Sequence, residues 1–173
     1  MVILLVLPFV VQGALMVVDE FYYHHRRRLP LWERIGHPLD TLTVLACYAW
    51  ILVVPPASSG AIAAYAALAI FSTAFVTKDE FVHARECAPA EHFLHALLFG
   101  FHALVLLAAG LIWPALHPDA ANVMQGAVGF VSPDMIPVVV VGLKIQMAGT
   151  VAFLLYQITY WNFPWKPTPD ARQ

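Results

Sequence analysis

The chain has 173 residues, 61% of them hydrophobic and 12% charged, with a net charge of −2. A soluble globular protein carries about 25% charged residues, so this one lacks the polar groups to cover a water-exposed surface, and its mean hydropathy of +0.73 agrees. The small net charge and the single local basic cluster exclude nucleic acid as a partner. Cys47 and Cys87 sit in different segments and form no CxxC pair, so no disulfide framework is implied.

Five apolar runs follow in chain order, at about Val2–Val18, Leu39–Val54, Ala61–Val76, Phe93–Leu116 and Met135–Trp161. One crossing takes about 20 apolar residues. The expected fold is therefore all-α: an integral membrane protein with five transmembrane helices in a single membrane domain spanning residues 1–173. The N-terminal run has no positive n-region and no clear cleavage site, and reads as a retained first helix. Pro55, Pro56, Ser58, Ser59 and Gly60 make a tight connection between the second and third spans. His117–Pro133 reads as a loop whose apolar part, Val123–Val131, lies on the membrane surface.

Arg26, Arg27, Arg28 and Arg34 fall between spans one and two, Lys78 and Arg85 between spans three and four, and Lys166 and Arg172 after span five. The positive-inside rule then puts the N-terminus outside and the C-terminus inside. Small size and compact topology point to a bacterial inner (cytoplasmic) membrane, with membrane lipid as the surrounding partner. Tyr160, Trp161 and Trp165 suit an interfacial belt at the inner end of span five.

The two basic loops repeat each other. Asp19, Glu20, Phe21, His24, Arg26, Pro30, Glu33 and His37 match Asp79, Glu80, Phe81, His83, Arg85, Pro89, Glu91 and His95 at an offset that falls from 60 to 58. Two single-residue gaps explain the drift. This is the signature of a duplicated helical hairpin, with one repeat at about 1–56, the second at about 60–116, and an extra helix at about 135–161. Spans one to four then form a four-helix bundle. Pro30 and Pro89 open the second helix of each hairpin, since a first-turn residue needs no donor.

Each helix of the two hairpins carries a Glu/His pair at the same depth. Glu20–His24, Glu33–His37 and Glu91–His95 are four residues apart, and Glu80–His83 three, so each pair shares a helical face. Packed as a bundle, Glu20, His24, Glu33, His37, Glu80, His83, Glu91 and His95 converge near the cytoplasmic surface as candidate metal ligands. Carboxylate oxygens mixed with imidazole suit iron, manganese or zinc. Asp19 and Asp79 point about 100° away from their Glu neighbours on a regular helix, which suits acceptors for ligand histidines. Asp40 and His102 are further candidates to support the site, His102 by extending it or pairing with Tyr48. His25 and His92 have no His counterpart in the repeat and are poorer ligands. Pro38 directly follows His37 and disfavours helix there, so Glu33–His37 is open to being a separate turn.

This ligand pattern resembles that of the ferritin-like di-iron carboxylate proteins, which take a Glu from each of two helices and Glu-x-x-His from two others. The resemblance covers about Asp19–His95 and is one of ligand arrangement. Only Glu80–His83 has the family's spacing, and here every helix carries a His. It implies two metal ions, iron in the first place, with chemistry of the oxidase or oxygenase type, and a separate, unknown electron donor.

Three readings stay open. The first is a membrane di-metal oxidoreductase acting on dioxygen and an apolar or lipid-like molecule. The second is a di-zinc membrane hydrolase, in which one Glu serves as general base. The third is a non-enzymatic structural metal site. A metal-free network of ion pairs is the plain alternative, although Arg or Lys serves that role better than His. The outer halves of spans one to four are nearly bare of polar groups, which argues against transport. Lys144 stands near the middle of span five, where a charge costs about 3 kcal/mol or more. It either snorkels or marks a substrate or proton path with Gln146 and Gln157.

Overall fold

In hydrocarbon every backbone N–H and C=O must be satisfied within the chain, so apolar runs of this length fold as helices. The computed structural model describes residues 2–120 and 131–163, and their regular structure is entirely helical. Five helices are long and apolar enough to cross a membrane: α1 (Ile3–His24), α2 (Leu31–Val53), α3 (Ser59–Glu86), α4 (Pro89–Leu116) and α5 (Pro133–Asn162). Large apolar side chains such as Ile3, Val10, Val53, Ile70, Phe93 and Ile145 face outward, a surface suited to lipid.

Caps and prolines, more than hydropathy, set the helix ends. Ser58 caps α3, its Oγ accepting from the backbone N of Ala61 at 3.1 Å. Pro89 stands in the first turn of α4. Pro30 sits one place earlier on its helix, as the extended cap residue of α2. Helix α2 begins at Leu31 and α3 continues to Glu86, so the polar motifs lie on helix and not in loops. Pro38 does not break α2. Glu33–His37 is continuous helix, because a helix anchored by its neighbours tolerates one missing hydrogen bond.

Helix α1 departs from regular geometry at its inner end. Asp19–His24 form a π-helical turn, which packs extra residues into each turn and re-aims the side chains after it. Arg28, with φ 66°, then turns the chain toward α2.

Helix α4 packs against each of the other four, while α2 also packs against α3 and α5. The core between them holds Cys47, Tyr48, Ile51, Leu106, Ala109, Ile112 and Trp113. Gly110 lets α3 and α4 approach closely: a Cβ there would lie 2.8 Å from Cε1 of Tyr65. Trp113 Nε1 donates to the Val54 carbonyl at 2.7 Å, and His117 Nε2 lies 2.8 Å from the Ile51 carbonyl. These bonds tie α4 to the far end of α2. Residues 121–130, which hold most of the apolar Val123–Val131 stretch, lie outside the described residues, as do Trp165, Lys166 and Arg172. Val131 itself joins the core.

Candidate metal centre

Short connections after α1 and α3 bring the ends of four helices together. Helix α1 contributes Asp19, Glu20 and His24; α2 contributes Glu33 and His37; α3 contributes Asp79 and His83; α4 contributes Glu91 and His95. Glu20, His24, Glu33, Asp79, His83, Glu91 and His95 are each at most 3% exposed, and Asp19 is 6%. His37 faces a cavity beside the cluster.

Asp19 is the centre of the arrangement. Its Oδ1 lies 2.9 Å from His95 Nε2, and its Oδ2 lies 3.2 Å from His24 Nε2. The His24 ring stands 4.8 Å from that of His37, and the rings of His83 and His95 stack at 3.8 Å. Glu33 Oε1 lies 3.8 Å from His83 Nε2. Ligand atoms of Asp19, His24, Glu91 and His95 fall within 4.8 Å of one another, as do those of His24, Glu33 and His37, and those of His83, Cys87 and His95.

Glu20 takes a different place. Its Oε2 lies 3.2 Å from His24 Nδ1, and its Oε1 accepts a 2.6 Å hydrogen bond from Trp161 Nε1 on α5. Sequence spacing makes Glu20 a ligand and turns Asp19 aside. In the structure the π-helical turn carries Asp19 to the Nε2 atoms of His24 and His95, while Glu20 meets the opposite ring nitrogen of His24. Trp161, read from sequence as an interfacial anchor, is buried at 2% exposure. No local pattern marks it, since its partner lies 141 residues away in the chain.

Burying this many carboxylates and imidazoles is costly unless each is paired or bound to a metal. Lys78 neutralises the edge of the group and not its centre: its Nζ is committed to Asp40 and Asp79, each at 2.7 Å. His95 Nδ1 is buried without a hydrogen-bond partner among the described residues, and His24 Nε2 has only the 3.2 Å contact with Asp19 Oδ2. A ring nitrogen left so beside carboxylate oxygens is the donor a metal ion satisfies. The set of imidazole and carboxylate donors fits iron, manganese or zinc.

Other expected site residues lie elsewhere. Glu80 is not drawn into any of these groups. It pairs with His92 at 2.5 Å on the rim, where both side chains are about 40% exposed. Helix α3 has a 3-10 turn at Val76–Asp79 and regular α-helix from Glu80, where α1 has the π turn, so the two motifs are aimed differently. Asp79 accepts from Trp32 Nε1 at 2.6 Å as well as from Lys78. Asp40 meets Lys78 and not a ligand imidazole. Gly36 makes room for this network, since a Cβ there would lie 3.2 Å from Asp79 Oδ2. His102 bonds to Ser72 at 2.9 Å, and Ser72 to Thr43 at 2.7 Å. His25 is exposed, 3.0 Å from the Tyr156 hydroxyl and stacked on Tyr160. Arg26 lies over the Tyr22 ring at 3.7 Å. Lys144 is exposed on α5, while Gln157 turns inward and accepts from Thr41 at 2.8 Å.

A cavity of about 130 Å³ adjoins the cluster between the helices. Asp19, His37, His83 and His95 line it together with polar Tyr48, Gln146 and His102 and apolar Met16, Leu98 and Phe153. Comparison with protein-family models, with curated proteins and with solved structures finds no match.

Proposed function

We propose that the chain is a membrane-embedded non-haem di-metal oxidoreductase, with two irons held near the cytoplasmic face and an apolar or lipid-like substrate or dioxygen as reactant. The observation that carries this reading is Asp19, whose two oxygens face imidazoles on two different helices. With one oxygen toward each imidazole, Asp19 would be able to hold metal together with His24 and His95. His24, Glu33 and His37 form one ligand group, and His83 and His95 belong to another that shares no residue with it. Glu91 groups with Asp19, His24 and His95 between them. The arrangement resembles the ligand logic of ferritin-like di-iron carboxylate proteins, built here from two repeated hairpins. The cluster stands at the helix ends that carry Arg26, Arg28, Arg34, Lys78 and Arg85, and the positive-inside rule supports a cytoplasmic side for those ends.

Bound iron supplies the electron transfer and dioxygen chemistry. The chain's own groups do the rest. Glu20, fixed by Trp161, accepts the Nδ1 proton of His24 and so keeps Nε2 free to ligate, the usual support for a metal-binding imidazole. The adjoining cavity approaches the size of one of about 150 Å³ that admits benzene. It takes the reacting end of a substrate whose remainder stays among the lipids. Tyr48, His102 and Gln146 orient polar atoms of that end, and Met16, Leu98 and Phe153 hold its apolar part.

Glu33→Ala and Glu91→Ala test the reading. Each should lower bound metal and remove reductant-driven dioxygen consumption in membranes or detergent. Full metal retention in both variants contradicts it.

A further inference from the structure

Cys87 stands at the residue that ends α3, with extended backbone and its N–H bonded to the His83 carbonyl at 3.0 Å. His83 lies one helical turn earlier, so its imidazole and the thiol share a face. His95 arrives from α4. One ligand atom from each of His83, Cys87 and His95 lies within 4.8 Å of the other two. Bonds of about 2.0 Å to nitrogen and 2.3 Å to sulfur set ligand atoms about 3.5 Å apart around a tetrahedral ion, so the three side chains would draw closer around one. Cys87 is half-buried and not in a disulfide.

A second observation points to the same place. His95 is 2% exposed, and its Nδ1 has no hydrogen-bond partner among the described residues. Its Nε2 is already engaged by Asp19. The His83–Cys87–His95 group also shares no residue with His24–Glu33–His37, so both can be filled at once. The corresponding end of the first hairpin carries Arg28, and Cys47 is buried in the apolar core. Only one of the two positions therefore has sulfur within reach.

We propose that Cys87, as a thiolate, completes a His83–Cys87–His95 metal position unlike its carboxylate-bearing neighbour. This deepens the two-metal reading and rests on it. One position is hard, built from oxygen and imidazole, and selects iron or manganese. The other is softer, built from sulfur and imidazole, and accepts zinc, cobalt or iron. Filling it displaces the thiol proton to solvent, because the thiolate is the ligand.

Cobalt(II) titration of the metal-free full chain in detergent tests the assignment. Wild type should show the near-ultraviolet sulfur-to-cobalt charge-transfer band, with about two ions bound per chain. Cys87→Ser should lose the band and bind about one ion, while Cys47→Ala keeps both. A second measurement covers misfolding of the variant: in wild type, cobalt should protect Cys87 from alkylation by iodoacetamide. Two bound cobalt ions without a sulfur band, or Cys87 alkylated equally with and without cobalt, overturns the Cys87 assignment and leaves the two-metal centre standing. Absence of cobalt binding in wild type removes the two-metal centre and this position with it.

Discussion

The indole of Trp161 donates a 2.6 Å hydrogen bond to Oε1 of Glu20, joining the last described helix to the first. Both groups are buried, and the other oxygen of Glu20 faces His24 Nδ1 at 3.2 Å. Helix α5 thus does more than cover the bundle: it fixes the carboxylate that meets the His24 imidazole. Trp161→Phe keeps the ring and removes the donor. Metal affinity should fall about 10- to 100-fold, with helix content unchanged, as read by chelator competition and circular dichroism. Unchanged affinity would make Trp161 a packing residue only.

Asp19 and Asp79 occupy equivalent places in the sequence and different places in the structure. Asp19 meets His24 and His95, whereas Asp79 meets Trp32 and Lys78. Asp19→Asn should therefore deplete metal. Asp79→Asn should keep the metal and lower stability by about 2 kcal/mol, the scale of a hydrogen bond to a charged group. Elemental analysis and thermal unfolding of the two variants separate these effects. Equal metal loss in both would restore the equivalence that the repeat suggests.

Much of the architecture is legible in the residues, because lipid imposes long apolar runs and the repeat marks which polar groups converge. Spacing alone singles out His24, Glu33, His37, His83, Glu91 and His95, and the structure brings these six side chains together at one end of the helices. Four features do not show in the spacing. The π-helical turn at Asp19–His24 leaves the spacing of letters unchanged while altering where they point, so Asp19 reaches the imidazoles of His24 and His95. Glu80 has the family-like i, i+3 spacing but sits at the rim with His92, since the helical phase differs between α1 and α3. Trp161 reaches the site only through tertiary packing. Cys87 is visible as a letter, and its nearness to His95 requires the fold.

His25 provides a control beside the cluster. It is exposed and bonded to Tyr156, and the adjacent His24 is fully buried. His25→Ala should leave metal content within error of wild type, while His95→Ala should lower it sharply. Large metal loss in His25→Ala would move the site outward to the aromatic face of α5.

Gly110 tests the packing apart from the chemistry. Adding a methyl group there places Cβ 2.8 Å from Tyr65 Cε1, on a ring whose hydroxyl is tied to the Leu106 carbonyl at 2.5 Å. Gly110→Ala should lower stability by about 1–3 kcal/mol, the usual cost of overpacking. Bound metal should not change, because the contact lies in the apolar core far along α4 from His95. A thermal midpoint equal to wild type would show that α3 and α4 are not closely packed.

The most direct test is metal content per chain, by elemental analysis of protein purified in detergent without chelator from cells grown without added metal. The account predicts close to two metal ions per chain, with iron predominant, and their loss in Asp19→Asn. Purified protein with no stoichiometric metal, and none taken up from iron(II) under anaerobic conditions, would contradict it and leave the buried carboxylates and imidazoles as an ion-pair network.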